Sequence, residues 1–240
     1  MLKDLIEDRI HGSQYILVKS LEECASLLLL HPDRSDEVFK FLFKLKETFP
    51  DMEIIQNFNL EYTKGDASKL LRLIQMTLSM ILTENNWIEG EMEKYIKNAR
   101  GVLTISYSQT VKSILEKVPI MNIYIMKSAP GNEGVTLYND MITPNKTHLV
   151  EDNEAELLMK RHKVSAVVMG CDKFHTKLGF VNKIGSGLVV KFAEENSIPV
   201  YVVASNLKHV VDDLHFLNVS DKENLELVTI SNNIHFIYYE

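Results

Sequence analysis

The chain has 240 residues, 45% of them hydrophobic and 25% charged, and its formal net charge is −7. This composition is typical of a globular protein with one α/β domain, or with a small domain and a larger one. The acidic balance argues against strong direct binding to nucleic acid, which a basic surface would drive. The two cysteines, Cys24 and Cys171, are too few for a disulfide framework or a cysteine metal cluster, so we expect no metal and no cofactor.

The N-terminal sequence MLKDLIEDRIHG is charged and lacks the apolar core of a signal peptide. The longest purely apolar runs, such as residues 27–30, are far too short to cross a bilayer. The sequence therefore predicts a cytoplasmic protein that makes no contact with a membrane.

Apolar residues recur at helical spacing throughout residues 1–98, where glycine and proline are sparse. Breaks that contain proline fall at residues 31–35 and 49–51. Two later helices are predicted, one over residues 66–81 with its first residue as a candidate cap, and one over residues 89–99. We therefore predict a helical N-terminal domain over residues 1–98.

From residue 99 onward, short apolar runs alternate with helical patterns. Strands are predicted at residues 101–105, 120–126, 148–150, 164–169 and 200–204. Helices are predicted at residues 109–118, 153–162 and 184–195, with another after the loop at residues 130–134. This alternation predicts an α/β domain over residues 99–240, with a mostly parallel sheet covered by helices on both faces. Ligands of such sheets bind beyond the carboxyl ends of the strands.

Polar side chains follow the first two predicted strands. Thr104, Ser106 and Tyr107 follow the first, and their hydroxyl groups could cap the next helix or hold an anion at its N-terminus. Lys127 follows the second strand, where it could face a ligand or simply be solvated. These residues are candidates for ligand binding.

The predicted strand at residues 164–169 is followed by an acid, Asp172, which could meet a ligand or form a turn. Asn182 and Lys183 then precede Gly185 and Ser186, where glycines open a predicted helix. Backbone N–H groups and the helix dipole favour a phosphate at such a position. The segment is neither a Walker loop nor a dinucleotide fingerprint.

Lys208 follows the last predicted strand in the run Ala204-Ser205-Asn206-Leu207-Lys208. The strand ends of the domain thus collect hydroxyl groups, amides, cations and an acid. A small phosphorylated and hydroxylated ligand is the natural expectation.

Five segments in order resemble the initiation factor 2B alpha/beta/delta family, which includes methylthioribose-1-phosphate isomerase and ribose-1,5-bisphosphate isomerase. "GCDKFHTKLGFVNKIGS" is similar to its G-A-D...NKIGT signature, "VLTISYSQTV" to its ILTH-Y-S-x-x-V segment, and "KSAPGNEG" to its E-S-R-P-x-x-E-G segment. "THLVEDNEAELLM" and "IPVYVVASNLK" also align. The resemblance implies an N-terminal helical domain followed by a Rossmann-like domain.

The isomerases of this family interconvert a phosphorylated aldose and ketose, using a cysteine after the ILTH-type strand and the aspartate of G-A-D. Here Asp172 matches the aspartate, but Ser106 stands at the position of the cysteine. A serine hydroxyl is far less acidic than a thiol. Ala129 stands at the position of an arginine that could clamp a phosphate, and Lys127 at that of a glutamate. Cys171 is expected to pack as a small buried residue rather than replace the thiol.

Two functions remain open. The first is a non-catalytic, regulatory protein of translation initiation that binds a sugar phosphate or nucleotide and a protein partner. The alternative is an aldose–ketose isomerase acting on a phosphorylated ribose derivative, with Asp172 as acid or base. A scaffold that lost its pocket is a third option. A homodimer is expected, although "LELVTISNNIHFIYYE" is shorter than the usual C-terminal segment of the family.

Overall fold

The N-terminal half of the chain is helical in the structure, a computed structural model that describes residues 2–218 and 224–239. Its helices are α1 (Leu2–Glu7), α2 (Ser13–Leu30), α3 (Ser35–Thr48), α4 (Glu53–Gln56) and α5 (Ala67–Ile96). Asp66 caps α5 by accepting a hydrogen bond of 3.0 Å from the N–H of Lys69, as its position predicts. The two helices predicted over residues 66–81 and 89–99 are wrong as separate elements, because α5 runs through both without a break.

The α/β part alternates strands and helices as predicted. Its strands are β1 (Val102–Thr104), β2 (Asn122–Met126), β3 (Lys146–Val150), β4 (Ala166–Met169), β5 (Lys173–His175), β6 (Gly179–Lys183), β7 (Val200–Val203), β8 (Leu225–Thr229) and β9 (Ile234–Ile237). Its helices are α6 (Gln109–Lys117), α7 (Glu133–Asp140), α8 (Ala155–Lys160), α9 (Ser186–Glu195) and α10 (Asp213–Leu217).

Six strands form a parallel sheet in the order β3-β2-β1-β4-β7-β9. The chain moves outward from β1 to β2 and β3, and then returns so that β4 pairs on the other side of β1. Val102 of β1 accordingly lies opposite both Ile123 of β2 and Ala166 of β4. Such a reversal opens a crevice at the carboxyl ends of the two central strands.

A second, antiparallel sheet has the order β5-β6-β8. Its first two strands occupy residues 173–175 and 179–183, where no strand is predicted from the sequence. Sequence reasoning missed them because Lys173, His175, Asn182 and Lys183 are buried in spite of their polarity. The start predicted for the following helix, at residue 184, is also early, since α9 begins at Ser186.

The helix α5 joins the two halves of the molecule. Leu70, Ile74 and Ile81 pack in the core of the helical region, whereas Ile88 and Ile96 pack against the parallel sheet. A boundary at residues 98 and 99 therefore remains a prediction, supported by the change from helices to strands and opposed by this shared helix. The shared helix ties the helical region to the sheet.

The helical region also reaches the carboxyl ends of the strands. The side-chain amide of Asn57 donates to the carbonyl of Leu207 at 2.7 Å, and the buried Glu84 accepts a hydrogen bond from Ser205. Glu53 contacts His215 at 2.9 Å. These contacts hold the helical region against segments that follow β7.

Candidate functional site

A cavity of about 330 Å³ lies at the carboxyl ends of β1 and β4, under the N-terminal segment. Each half of the chain contributes to its wall. The residues that line it are Arg9, Ile10, His11, Gly12, Met52, Ser106, Gly131, Glu133, Asp172, Lys183, Asn224 and Leu225. A second space of about 40 Å³ also touches Ser106 and Asp172. The reversal of strand order thus creates a site where polar side chains meet.

The turn after β1 is held in a defined conformation. Ser106 has a φ of +67°, and its backbone N–H donates to the Ser128 hydroxyl at 2.7 Å. Ser128, with a φ of +66°, and Ala129 each donate a backbone N–H to the Asp152 carboxylate at 2.7 Å. These bonds hold Ser106 and Ser128 in the left-handed backbone region, which residues other than glycine seldom adopt. Asp152 therefore shapes the turns that follow both β1 and β2.

Asp172 follows β4 and is half-buried in the cavity wall. Its backbone N–H donates to the carbonyl of Val181 at 2.8 Å, which ties it to β6. Burial raises the pKa of its carboxyl above the usual value, while the charge of Lys208 acts in the opposite direction. Lys208 itself is buried and donates to the carbonyl of Cys171 at 2.6 Å. Asp172 is therefore a weaker acid than an exposed aspartate.

A buried ion pair forms another wall of the cavity. Lys183 Nζ lies 2.6 Å from Glu133 Oε1, and their side chains are only 4% and 9% exposed. Glu133 Oε2 has no hydrogen-bond partner among the residues that the structure describes. A Cβ on Gly131 would lie 2.4 Å from Glu133 Oε1, so glycine makes room for this carboxylate. The pair therefore leaves one buried carboxylate oxygen without a hydrogen bond, which a native structure seldom does.

The N-terminus of α9 is already occupied by groups of the chain. Asn182 donates to the Ser186 hydroxyl at 2.9 Å, and this hydroxyl donates to the carbonyl of Lys183 at 2.7 Å. The carboxylate of Glu226, on β8, accepts the N–H of Gly187 at 2.7 Å. An anion from the protein itself therefore sits in the first turn of this helix.

The structure separates the predicted site residues into three groups. Ser106, Asp172 and Lys183 line the larger cavity, and Tyr107, Asn182 and Lys208 line the smaller space beside it. Neither space is lined by Thr104, Lys127, Gly185 or Ser186. Lys127 instead pairs with Glu151 at the surface, and Thr104 is buried in β1. The functional roles of all ten residues remain predictions.

The hydroxyl of Tyr107 is engaged by a carboxylate outside both spaces. The hydroxyl donates to Asp140 at 3.0 Å, and burial together with Asp140 raises the pKa of the phenol well above its usual value. The buried Cys171 agrees with its expected packing role, and burial raises the pKa of its thiol to about 12. This thiol is therefore a poor substitute for a reactive cysteine.

Sequence reasoning missed the contribution of residues 8–12. His11 Nδ1 lies 2.7 Å from Asp8 Oδ2, and the imidazole stacks on Tyr15 with ring centroids 4.1 Å apart. A Cβ on Gly12 would lie 2.6 Å from the carbonyl oxygen of Tyr107, so the segment packs closely on the turn after β1. The only available signal was a polar break with a glycine between two helical patterns. Glu133 was missed too, although it lies in the quoted "KSAPGNEG" segment.

Within residues 2–218 and 224–239, no cluster of histidine, cysteine and carboxylate side chains is arranged to hold a metal ion. In the same part of the chain, no helix is both long enough and apolar enough to span a bilayer.

Comparison with known proteins identifies the family. The sequence profile of the Initiation factor 2 subunit family matches residues 17–229. The chain belongs to this family. Methylthioribose-1-phosphate isomerases of Petrotoga mobilis and Dechloromonas aromatica are 30% and 33% identical to it over 112 residues. Each match covers 45% of this chain, with 32% and 31% of the respective relative. The chain thus matches only about a third of the length of these curated relatives.

Solved structures of this family share the fold. The translation initiation factor eIF-2B of Pyrococcus horikoshii OT3 superposes with a TM-score of 0.81 at 18% identity, covering 99% of this chain and 93% of that one. The 5-methylthioribose 1-phosphate isomerase of the same organism gives 0.62 at 16% identity, covering 87% and 68%. A tetrameric eIF2B-beta2-delta2 complex from C. thermophilum gives 0.67 at 15% identity, covering 99% and 88%. The family and fold that the sequence predicted are confirmed.

The relatives do not support equally the two functions that the sequence leaves open. The matched curated relatives carry the name of an isomerase, whereas the likeness to initiation factor structures rests on the fold. The comparisons therefore favour the isomerase interpretation over the non-catalytic one.

Proposed function

We propose that the chain is an aldose–ketose isomerase for a phosphorylated ribose derivative, with its active site in the cavity between β1 and β4. The observation that carries the proposal is the half-buried Asp172 carboxyl, whose pKa is raised, in the wall of a cavity of about 330 Å³. Isomerisation of a sugar needs a group that can donate a proton at neutral pH and take one back. The raised pKa makes the Asp172 carboxyl a better proton donor for this exchange than an exposed aspartate, which is almost fully ionised at neutral pH.

The polar groups of the cavity suit a sugar. The unpartnered Glu133 Oε2 can accept a hydrogen bond from a ligand hydroxyl, and Lys183 beside it can donate one. Because Glu133 offsets the charge of Lys183, a phosphate needs a further cation. Arg9 lines the same cavity, and we propose that its guanidinium contacts the phosphate in place of the arginine that is missing at Ala129.

The relatives named methylthioribose-1-phosphate isomerase support a substrate whose phosphate is on C1. Isothermal titration with methylthioribose 1-phosphate and with ribose 1,5-bisphosphate, followed by phosphorus NMR of the same mixtures, tests the proposal. Binding with conversion to a ketose supports it. Binding without any conversion would show that the cavity holds the ligand but performs no isomerisation.

One observation favours a second candidate, a non-catalytic regulatory protein that binds a sugar phosphate or nucleotide in translation initiation. Ser106 stands where the resemblance places a cysteine, and a hydroxyl is a poor acid–base group without an adjacent base. This candidate predicts the second outcome of the titration. A pull-down with purified initiation factors would then test for the protein partner.

Assembly into a homodimer is also a proposal, supported by neighbours of the fold that are described as complexes. Light scattering coupled to size exclusion measures the mass in solution. A mass of twice the chain supports a dimer, and a mass equal to the chain contradicts it. The cytoplasmic location is also a proposal, and fractionation of the source cells tests it.

A further inference from the structure

Asp8 and His11 form a hydrogen-bonded pair at the rim of the cavity. His11 Nδ1 lies 2.7 Å from Asp8 Oδ2, while Asp8 Oδ1 accepts the backbone N–H groups of Ile10 and His11 at 2.9 and 3.0 Å. Burial acts to raise the pKa of Asp8, but hydrogen bonds from His11 and Ile10 hold it below its usual value. The carboxylate is therefore ionised and keeps the proton of the imidazole on Nδ1.

The other ring nitrogen of His11 is available. Nε2 makes no hydrogen bond to any residue in the described parts of the chain, and the side chain is 22% exposed where it lines the cavity. With a proton on Nδ1, the neutral ring carries a lone pair on Nε2. Asp8 and His11 thus share the arrangement in which a carboxylate orients a histidine base.

Packing fixes the ring in this position. Tyr15 stacks on one face with an interplanar angle of 19°, and Tyr107 approaches at 75° with ring centroids 4.8 Å apart. Gly12 lies against the carbonyl of Tyr107, and Gly12 and the next residue, Ser13, line the smaller space together with Ser106 and Asp172. The segment that carries His11 is therefore anchored next to both Ser106 and Asp172.

We infer that His11 is the second acid–base catalyst of the cavity, oriented by Asp8, and that it supplies the proton transfer for which Ser106 is unsuited. This inference rests on the proposed isomerase function. Asp8 is a positioning residue, since it acts through the imidazole and does not line the cavity.

The two groups complete a balanced reaction on a ribose 1-phosphate derivative. Asp172 donates its proton to the ring oxygen as the bond from that oxygen to C1 breaks, and the electron pair stays on the oxygen. His11 Nε2 then removes the proton from C2, and the electrons of that bond form a double bond between C1 and C2. The imidazolium returns its proton to C1 while Asp172 takes the hydroxyl proton from O2, which leaves a ketone at C2 and restores both groups.

Steady-state turnover of methylthioribose 1-phosphate and ribose 1,5-bisphosphate by variants of the full chain tests the inference. We expect His11→Asn to lower kcat by about 10²-fold or more, because general acid–base groups contribute about 10² to 10⁴. His31→Asn is the matched control, since His31 is exposed at the C-terminal cap of α2 and leaves the cavity unchanged. His11→Gln serves as a second variant, and circular dichroism checks the fold of each protein.

Added imidazole separates a chemical role of His11 from a structural one. His11→Ala leaves a space that free imidazole can enter, and we expect imidazole to restore part of kcat without changing the control. Asp8→Asn is expected to lower kcat by about tenfold with KM changed less than about twofold, because the ring loses its orientation while the site remains.

The outcomes distinguish the inference from the function on which it rests. If the wild-type protein converts the sugar phosphate and the folded variants His11→Asn and His11→Gln do so at the same rate, the role of His11 alone is overturned. Failure of imidazole to rescue His11→Ala, with the protein folded, would also overturn it. A wild-type protein that converts neither sugar phosphate would overturn the proposed function, and the catalytic role of His11 with it.

Discussion

The carboxylate of Glu226 accepts a hydrogen bond of 2.7 Å from the backbone N–H of Gly187, in the first turn of α9. β8 therefore supplies the negative charge that the positive end of this helix favours. A phosphate that binds at the same turn would have to displace this carboxylate. The relationship explains why we place the phosphate near Arg9 and not at the start of α9.

Replacing Glu226 with alanine should lower the free energy of unfolding by about 1 to 2 kcal/mol, because a charge-assisted hydrogen bond in the first helical turn is lost. Urea unfolding measures the change. Glu194→Ala is the control, since it removes an exposed negative charge from the last turn of the same helix and should be neutral or slightly stabilising. Equal losses in the two variants would contradict the capping role of Glu226.

Lys183 and Glu133 should depend on each other for stability. Lys183→Met leaves the Glu133 carboxylate buried without its partner, which costs about 3 to 5 kcal/mol. Glu133→Gln in the same chain removes the stranded charge and should recover a large part of that loss. A double-mutant cycle from urea unfolding measures the coupling, and purely additive losses would be incompatible with a buried ion pair.

Asp172 should make the stability of the protein depend on pH. Because the folded pKa lies above the unfolded value of 3.8, the folded state binds more protons, and stability falls as the pH rises above that value. Asp172→Asn cannot ionise and escapes this cost. The unfolding free energy of the variant relative to the wild type should therefore increase from pH 4 towards neutral pH. Each unit by which folding raises the pKa of Asp172 adds about 1.4 kcal/mol to this increase. A difference that stays constant over this range would contradict the raised pKa.

The two cysteines should resist modification in the folded protein. Burial raises the pKa of both Cys24 and Cys171 to about 12, so almost no thiolate is present at neutral pH. We expect a chromogenic disulfide reagent to label them at a rate limited by unfolding, and rapidly in urea. Fast labelling of one thiol in the native protein would show a reactive cysteine beside Asp172 or in the helical region.

The sequence predicted the part of the site that depends on local pattern. Apolar runs of strand length followed by polar residues located Ser106 and Asp172, because the carboxyl ends of neighbouring parallel strands meet at one edge. The cap at Asp66 followed from its position before a helical pattern. Family motifs then predicted the family, which the profile match over residues 17–229 confirms, and a helical region ahead of an α/β part, which the structure shows.

The missing part of the site depends on contacts between distant residues. Lys173 and Lys183 are each buried because carbonyls or a carboxylate from other segments receive their charge. Glu133 is 50 residues from Lys183 in the chain, and His11 approaches the turn after β1 from the helical region. No periodicity in the sequence encodes such pairings. They arise from packing of the helical region over the sheet.

Turnover of methylthioribose 1-phosphate by the purified full chain, followed by phosphorus NMR, tests the central claim most directly when wild type, Asp172→Asn and the surface control Asp33→Asn are compared. We predict conversion to the ketose by the wild type and the control, and a decrease of at least about 10²-fold in Asp172→Asn, since the acid is lost. Conversion by Asp172→Asn at the wild-type rate, or a wild-type protein that binds the sugar phosphate without converting it, would contradict the assignment of this cavity as an isomerase active site.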